Sequence, residues 1–555
     1  MFDFEGLADT IRTVGDAPKS KSSCYHWSTR RRIMGSPFPG PYSTKYHPWC
    51  REILDSKAEF NVTLKSAQAG LTEVGINRAL YSIDVRKLSV LYVLPTATNA
   101  ADFSRARFGG ALMESPYLKS IFSDTNSVGL KQAGSTNLYI RGSRGDSNLK
   151  SVPAAVLVMD EYDEFDQNAI RLALERLSGQ REKEVWAIST PTIPDYGVSK
   201  QYLTTTQEHF YFKCPCCSQW TELIFPECME VCGESVNDPR VHDSYLKCKE
   251  CGGKLHHEDK VNFLASGTWR PTYHNGDPSR RGFAINQLYS STVSPKEIAE
   301  AWIAAQTDEP TMKEFKNSKE GKPFLGQGAQ ITDDQIAAAY GDHSIHDERP
   351  ISSGRLITMG YDQGRTGYVW IVEWFVDNLK DPNRTSTGKL LYLEKFDQYA
   401  RGMSPLNDLM TEWQVQYAVT DADPEITMAR EFCSRFRRYA ATSRYRKGVV
   451  GNELAITNED GYAPMITVDR THWIGTALGR FKTGRISIPR EFPDEAKSHL
   501  KALVATWEKD EFGNQKQTYV STGPDHYAHA FVYAEIALAA AAAKYSMAGN
   551  ITDNF

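Results

Sequence analysis

The chain predicts a mixed α/β protein built from more than one domain. Three observations carry this: two separate stretches alternate apolar, strand-like runs with helical patterns, strands in both stretches end in carboxylates, and a cysteine-dense segment lies between them. At 555 residues the polypeptide exceeds one typical core, so two or three domains are expected.

Composition narrows the classes. No apolar run approaches the roughly 20 residues needed to span a bilayer, and the acidic, polar start from Met1 to Ala17 lacks the basic-then-apolar order of a signal peptide. A cytoplasmic protein without membrane contact is expected. A net charge of −5 argues against a general basic coat for nucleic acid, so any DNA contact has to come from local clusters. Seven of ten cysteines fall between Cys214 and Cys251, a crowding that in a cytosolic chain favours metal over disulfides.

Residues 1–40, with Arg30-Arg31-Arg32 and a turn-rich run to Pro41, read as a solvated N-terminal arm. The aromatic cluster Tyr46-His47-Pro48-Trp49 reads as core rather than as a cradle for an adenine ring. Then comes the stretch that organises the first domain: the strand-like Phe60 to Leu64, the small-residue loop Lys65-Ser66-Ala67-Gln68-Ala69-Gly70-Leu71-Thr72, and a helix through Leu80. Strand, small loop and helix is the setting a phosphate-binding loop needs, because small side chains let backbone N–H groups and the positive helix end approach a polyphosphate. The spacing is irregular: Leu71 stands where the phosphate-contacting lysine is expected, and Lys65 stands at the first glycine.

A strand from Leu88 to Leu94 and a polar helix from Ala97 to Phe108 follow, the latter carrying Arg105 and Arg107. The near-continuous apolar run Ala154 to Met159 reads as a buried parallel strand delivering Asp160 and Glu161 to the crevice where open α/β sheets bind ligands. In a phosphate-loop ATPase the first acid holds Mg²⁺ and the second orients the attacking water. Another strand, Glu184 to Ile188, ends in Ser189-Thr190-Pro191, whose hydroxyls are placed to sense the γ-phosphate. Together these predict a parallel sheet with right-handed crossovers.

From Gly40 to Asp55, and through Lys65 to Gly70 with Thr72-Glu73, Met159-Asp160-Glu161 and Ser189-Thr190-Pro191, the chain resembles the large terminase subunit of tailed bacteriophages, within the lambda-like gpA family. That resemblance implies an ASCE-type P-loop ATPase with a deviant Walker A whose lysine opens the loop, so Lys65 inherits phosphate binding. Some terminases carry an arginine in the loop where Gln68 stands; an arginine finger must then come from elsewhere, with Arg107 or Arg105 as candidates.

Cys214-Pro215-Cys216-Cys217 and Cys248-Lys249-Glu250-Cys251 form two CxxC knuckles, matching a four-thiolate structural Zn²⁺ site of Cys214, Cys217, Cys248 and Cys251. Cys216 can replace a partner in the first pair, and Cys228 and Cys232 lie close enough to confuse the assignment. Terminases of the gpA type carry such a zinc-ribbon insertion between their two domains. After it, residues 263–350 read as a connector.

A second α/β domain opens at Arg355. Leu356 to Tyr361 is a strand ending in Asp362, Tyr417 to Thr420 a buried strand ending in Asp421, and Asp525 precedes a long Ala-rich helix. Acids in that order are the layout of an RNase H-like nuclease, whose carboxylates gather two Mg²⁺ or Mn²⁺ ions roughly 4 Å apart. With the resemblance, Asp362, Asp421 and Asp525 become the expected ligands, Asp423 and His526 reserves. Arg430, Arg435, Arg437, Arg438, Arg444, Arg446 and Lys447 concentrate positive charge beside them.

The expected organisation is an arm (1–40), a P-loop ATPase domain (41–205), a zinc ribbon (206–262), a connector (263–350), an RNase H-like endonuclease domain (351–545) and a tail (546–555). The resemblance implies a packaging motor that uses ATP, Mg²⁺ and Zn²⁺ to drive double-stranded DNA into a procapsid and cuts concatemers. Implied partners are DNA, a small terminase subunit, the portal protein and further copies of itself in a ring, in the host cytoplasm and transiently at the portal. Competing readings are a helicase-like nucleic-acid-dependent ATPase and a non-catalytic DNA-binding prophage remnant.

Overall fold

The computed structural model describes residues 21–122, 125–144, 149, 152–165, 167–347, 355–446, 450–457, 463–509 and 515–547. Residues 1–20 of the expected arm, Lys447, Ile351 and residues 548–555 of the expected tail lie outside them. The chain divides into two compact units, Met1–Leu325 and Gly326–Phe555. Among the described residues, no helix is long and apolar enough to cross a membrane.

The first unit is built on a sheet with β1 (Phe60–Lys65) and β4 (Val156–Asp160) near its centre. Around them lie β2 (Val90–Leu94), β3 (Thr136–Gly142), β5 (Glu184–Ser189), β6 (Glu208–Lys213) and β7 (Arg280–Ile285), in the spatial order β6-β7-β1-β5-β4-β2-β3. Every neighbouring pair in that series is parallel. β1, β2, β4 and β5 are buried along nearly their whole length, which is why β2, β4 and most of β5 run apolar, while β1 buries the polar side chains of Asn61 and Thr63 as well. β1 feeds α1 (Leu71–Asp84), whose buried face packs under the sheet.

Two expectations change here. The run around Arg30 to Arg32 is not a solvated arm: Cys24–Arg31 is a helix capped by Ser23, Trp27 is buried and donates to Asp84 Oδ2 at 2.7 Å, and Arg32 is 3% exposed. The local turn signals conceal this because the stabilising contacts come from α1. The stretch 263–350 is not one connector either. Arg280–Ile285 forms β7, registered directly on β1 with Ile285 opposite Lys65, so the sheet extends past residue 205. The cysteine segment is looped out between β6 and β7, with a small three-stranded sheet of its own (Met229–Glu230, Tyr245–Lys247, Lys254–Leu255).

In the second unit, β8 (Leu356–Asp362), β9 (Thr366–Phe375) and β10 (Thr387–Asp397) form an antiparallel meander. On the other side of β8 lie β11 (Tyr417–Asp421), β12 (Ala440–Tyr445) and β13 (Met465–Val468), all parallel. This is an RNase H-like order. α2 (His526–Met547) lies across β8, so close that a Cβ on Gly360 would stand 1.9 Å from Ala530 O. Its Glu535 is wholly buried against Arg480, with Asn383 Nδ2 donating to the same carboxylate at 2.8 Å. Glu535→Ala strands a buried guanidinium and is expected to cost about 3–5 kcal/mol, read as a lower urea midpoint for the second unit.

Candidate active sites

Parallel strands of the first unit all end at one edge, and the edge collects the chemistry. At the end of β1, Lys65 Nζ donates to Glu161 Oε1 at 2.8 Å, Thr72 Oγ1 at 3.2 Å and Asp160 Oδ1 at 3.3 Å. Burial by itself would lower the pKa of this amine, but the Asp160 and Glu161 carboxylates outweigh it and hold it above the usual lysine range. Asp160 also accepts from Tyr92 Oη at 2.8 Å. Glu161 takes a left-handed backbone, φ 60°, which turns the chain sharply out of β4.

The loop between Lys65 and Thr72 bends through Gln68 (φ 60°) and Gly70 (φ 76°), so Gly70 ends it in the region that favours glycine, and α1 begins at Leu71. Ala69 O accepts from Trp49 Nε1 at 2.9 Å, so Trp49 is core that props the loop, whereas Tyr46, His47 and Pro48 of the same cluster are only half-buried. Leu71 is 1% exposed and Ala69 6% exposed; only their backbone faces the site. Ser66 Oγ is buried without a hydrogen-bond partner. Arg107 donates to Glu73 Oε1 at 2.6 Å in the first turn of α1, whereas Arg105 pairs with exposed Asp102, away from the loop's first turn. Ser189, at the end of β5, accepts from Asp163 N at 3.2 Å and donates to Thr190 O at 3.1 Å.

The cysteines form a separate centre. Sulfurs of Cys214, Cys217, Cys248 and Cys251 all lie within 4.8 Å of one another, Cys214 and Cys251 at 4.0 Å. A tetrahedral Zn–S shell with bonds near 2.3 Å needs sulfurs about 3.8 Å apart, so the donor set fits Zn²⁺. Backbone N–H groups of Cys216 and Gly253 point at Cys214 and Cys251 Sγ, both at 3.4 Å. Cys216 Sγ turns to Lys254 O, and Cys228 Sγ to Glu222 O, so both leave the cluster. Cys232 N is held by Ser244 Oγ.

In the second unit, β8 and β11 are level, Tyr361 opposite Thr420, so Asp362 and Asp421 emerge side by side. Asp525 precedes α2 at the same edge. Its neighbour His526 meets Asp362 Oδ2 through Nδ1 at 2.9 Å, which raises the imidazole pKa. Burial and the Asp362 charge push the Asp421 carboxyl up to about 7. Although burial opposes it, hydrogen bonding to His529 and Ser521 pulls Asp525 down to about 2. Among the described residues, the three acids are not gathered as tightly as the thiols. Asp423 is committed to Arg444 by two bonds of 2.8 and 2.7 Å. Arg446 is exposed and follows β12 on the acid side, whereas Arg435, Arg437 and Arg438, also exposed, precede β12 at the opposite end of the sheet, where Lys544 near the far end of α2 donates to Arg438 O; they do not stand beside the acids as expected.

Several contributors carry no local sequence signal: Tyr92 on Asp160, Asp163 behind the acid pair, Gln287 and Ser318 on the loop, and Tyr445 bonded to His529 at 2.9 Å. Only the folded sheet brings them in.

The site at the edge of the parallel sheet and the acid-tipped second sheet define a nucleotide-hydrolysing unit joined to a nuclease unit. The model for the ATPase domain of phage terminase large subunit gpA matches residues 36–269, and that for the gpA terminase endonuclease domain matches residues 280–375, more than half of the chain together. Lys65, Asp160, Glu161 and Asp362 fall inside these stretches, Asp421 and Asp525 outside. Among solved structures, the HK97 bacteriophage large terminase is similar at 10% identity and a TM-score of 0.48, covering 94% of this chain and 99% of that one. A large terminase from a thermophilic bacteriophage is similar at 12% identity and a TM-score of 0.31, with 89% and 98% covered. The large terminase nuclease of thermophilic phage G20c gives 12%, 0.23, and coverage of 36% and 94%. No curated protein matches the chain.

The chain belongs to the gpA-type phage terminase large subunits, DNA-packaging motors that join an ATPase to an endonuclease. It uses nucleotide and divalent metal. Neither the helicase-like ATPase nor the inert prophage remnant is favoured by this pairing of domains.

Proposed function

We propose that ATP binds at the loop from Lys65 to Thr72, with Lys65 releasing Glu161 to contact the phosphates and the N–H groups of the first turn of α1 facing them. The observation that carries this is the convergence of Lys65, Thr72, Asp160 and Glu161 in one hydrogen-bonded group. Asp160 and Thr72 have the oxygens to hold Mg²⁺, which neutralises charge on the β- and γ-phosphates when bound. Glu161 orients and deprotonates the attacking water. Arg107, beside the loop, is the better placed finger; Ser189 and Thr190 pass on the state of the γ-phosphate.

In the second unit Asp362, Asp421 and Asp525 hold Mg²⁺ or Mn²⁺, with His526 orienting Asp362 and Asp423 left to its arginine. The metals supply an activated water and stabilise the leaving 3′-oxygen. Arg444 and Arg446, at the end of β12 on the acid side of the sheet, contact DNA phosphates. A small terminase subunit, the portal and further copies in a ring complete the motor, in the host cytoplasm and at the procapsid. The direct test of this reading is DNA-stimulated ATP hydrolysis and Mn²⁺-dependent plasmid cleavage by the same purified chain; a chain that does neither is not this enzyme.

Cys214, Cys217, Cys248 and Cys251 bind one structural Zn²⁺. Elemental analysis is expected to find one zinc per chain, and Cys248→Ser to lose it together with several degrees of melting temperature. Zinc-free protein of unchanged stability would remove the assignment.

A further inference from the structure

The phosphate loop is held from far along the chain. Ser66 N donates to Ile285 O at 2.9 Å and Ala67 N to Ser318 O at 2.8 Å, while Gln287 Nε2 donates to Ala67 O at 3.0 Å. Ser318 lies in a π-helical turn, Phe315–Lys319, a geometry that recurs at functional sites. Behind this turn Gly321 takes φ 63°, and a Cβ there would stand 3.1 Å from Ser66 N. The turn is therefore packed on the loop backbone itself.

Asn317 is the residue next to Ser318, 7% exposed. Its Nδ2 donates to Thr192 O at 3.0 Å and to Lys322 O at 2.8 Å. Thr192 follows the Ser189-Thr190-Pro191 strand end, and its N and Oγ1 both donate to Asp163 Oδ2 at 2.8 Å. Asp163 stands two residues after Glu161, and its own N donates to Ser189 Oγ. The loop, the acid pair and the end of β5 are thus joined in a circuit, loop to Ser318, Asn317 to Thr192, Thr192 to Asp163. Asn317 closes it with one amide whose two hydrogens are both used.

We infer that Asn317 is a positioning residue for ATP hydrolysis, holding the phosphate loop, the turn after Glu161 and the segment that leaves the first unit at Leu325 in one fixed relation. The inference rests on the nucleotide site proposed above. Loss of the γ-phosphate at the loop then pulls on residues 315–325 through hydrogen bonds of fixed length, and the same bonds set the water-orienting geometry of Glu161. Small misplacements of such groups slow chemistry by large factors while binding survives.

The test uses the full chain, steady-state DNA-stimulated ATP hydrolysis, and binding of a fluorescent ATP analogue to count folded sites. Asn317→Asp keeps the shape but turns both donors into acceptors facing carbonyl oxygens; Asn317→Ser removes them without charge. Both are expected to lower kcat per nucleotide-binding molecule by about tenfold or more, with KM and analogue affinity within about threefold. Asp163→Asn is expected to be non-additive with either, because both side chains act on Thr192. A kcat within twofold of the parent in Asn317→Ser, KM rising in step with lost activity, or multiplying effects of the Asp163 and Asn317 changes would each overturn the inference, since a packing role alone lowers the folded fraction and not the rate per site. Lys65→Ala, run in parallel, separates the two levels: activity surviving there sinks the nucleotide site, whereas its loss beside an unaffected Asn317→Ser sinks only the role of Asn317.

Discussion

Lys65→Ala is expected to abolish ATP hydrolysis, with a loss of at least about a hundredfold in kcat. The amine bonds to both acids at the strand edge, and removing it takes away the proposed phosphate contact while leaving Asp160 and Glu161 to repel each other unshielded. Leu71→Lys, which restores the commoner spacing, is expected to give no rescue in this background: position 71 is buried against the core, so a lysine there buries a charge away from the phosphates. Hydrolysis by Lys65→Ala at near the parent rate would refute the site.

The two units predict separable losses. Glu161→Gln is expected to remove ATP hydrolysis and spare Mn²⁺-dependent plasmid cleavage; Asp362→Ala is expected to do the reverse, lowering cleavage by about a hundredfold or more. Glu161 is partly exposed and Gln fills the same space, so the first change tests water activation rather than folding. Asp362 sits at a strand end beside His526, and its loss removes both a cation ligand and the partner of that ring. Cleavage at the parent level by Asp362→Ala would show that the acids of the second sheet are not its nuclease centre.

Much of this was legible in the chain because strand ends announce themselves. The buried strands that run up to Met159 and Tyr361 are mostly apolar, so the acids that follow them stand out, and register then places each at the edge of its own sheet. Paired CxxC knuckles are equally local. What sequence concealed is whatever depends on pairing at a distance: β7 is a modest Arg-Arg-Gly-Phe-Ala-Ile run, with nothing to say that it lies beside β1. Arg32 reads as part of a solvated basic run until Glu73 is brought to it at 2.7 Å. Asp423 stands in reserve as a ligand beside Asp421 until Arg444 folds across it.

Glu73 is shared between Arg32, on its buried side, and Arg107, on its open side. An arginine that must swing toward a phosphate normally abandons its carboxylate, and a largely buried bare charge such as Glu73 resists that. Here the carboxylate keeps Arg32 whichever way Arg107 points. In the reading proposed above, with Arg107 as the finger, the swing gives up one contact on the open side of the pair, on the order of 0.2–1 kcal/mol, a tether loose enough for the guanidinium to be recruited by nucleotide.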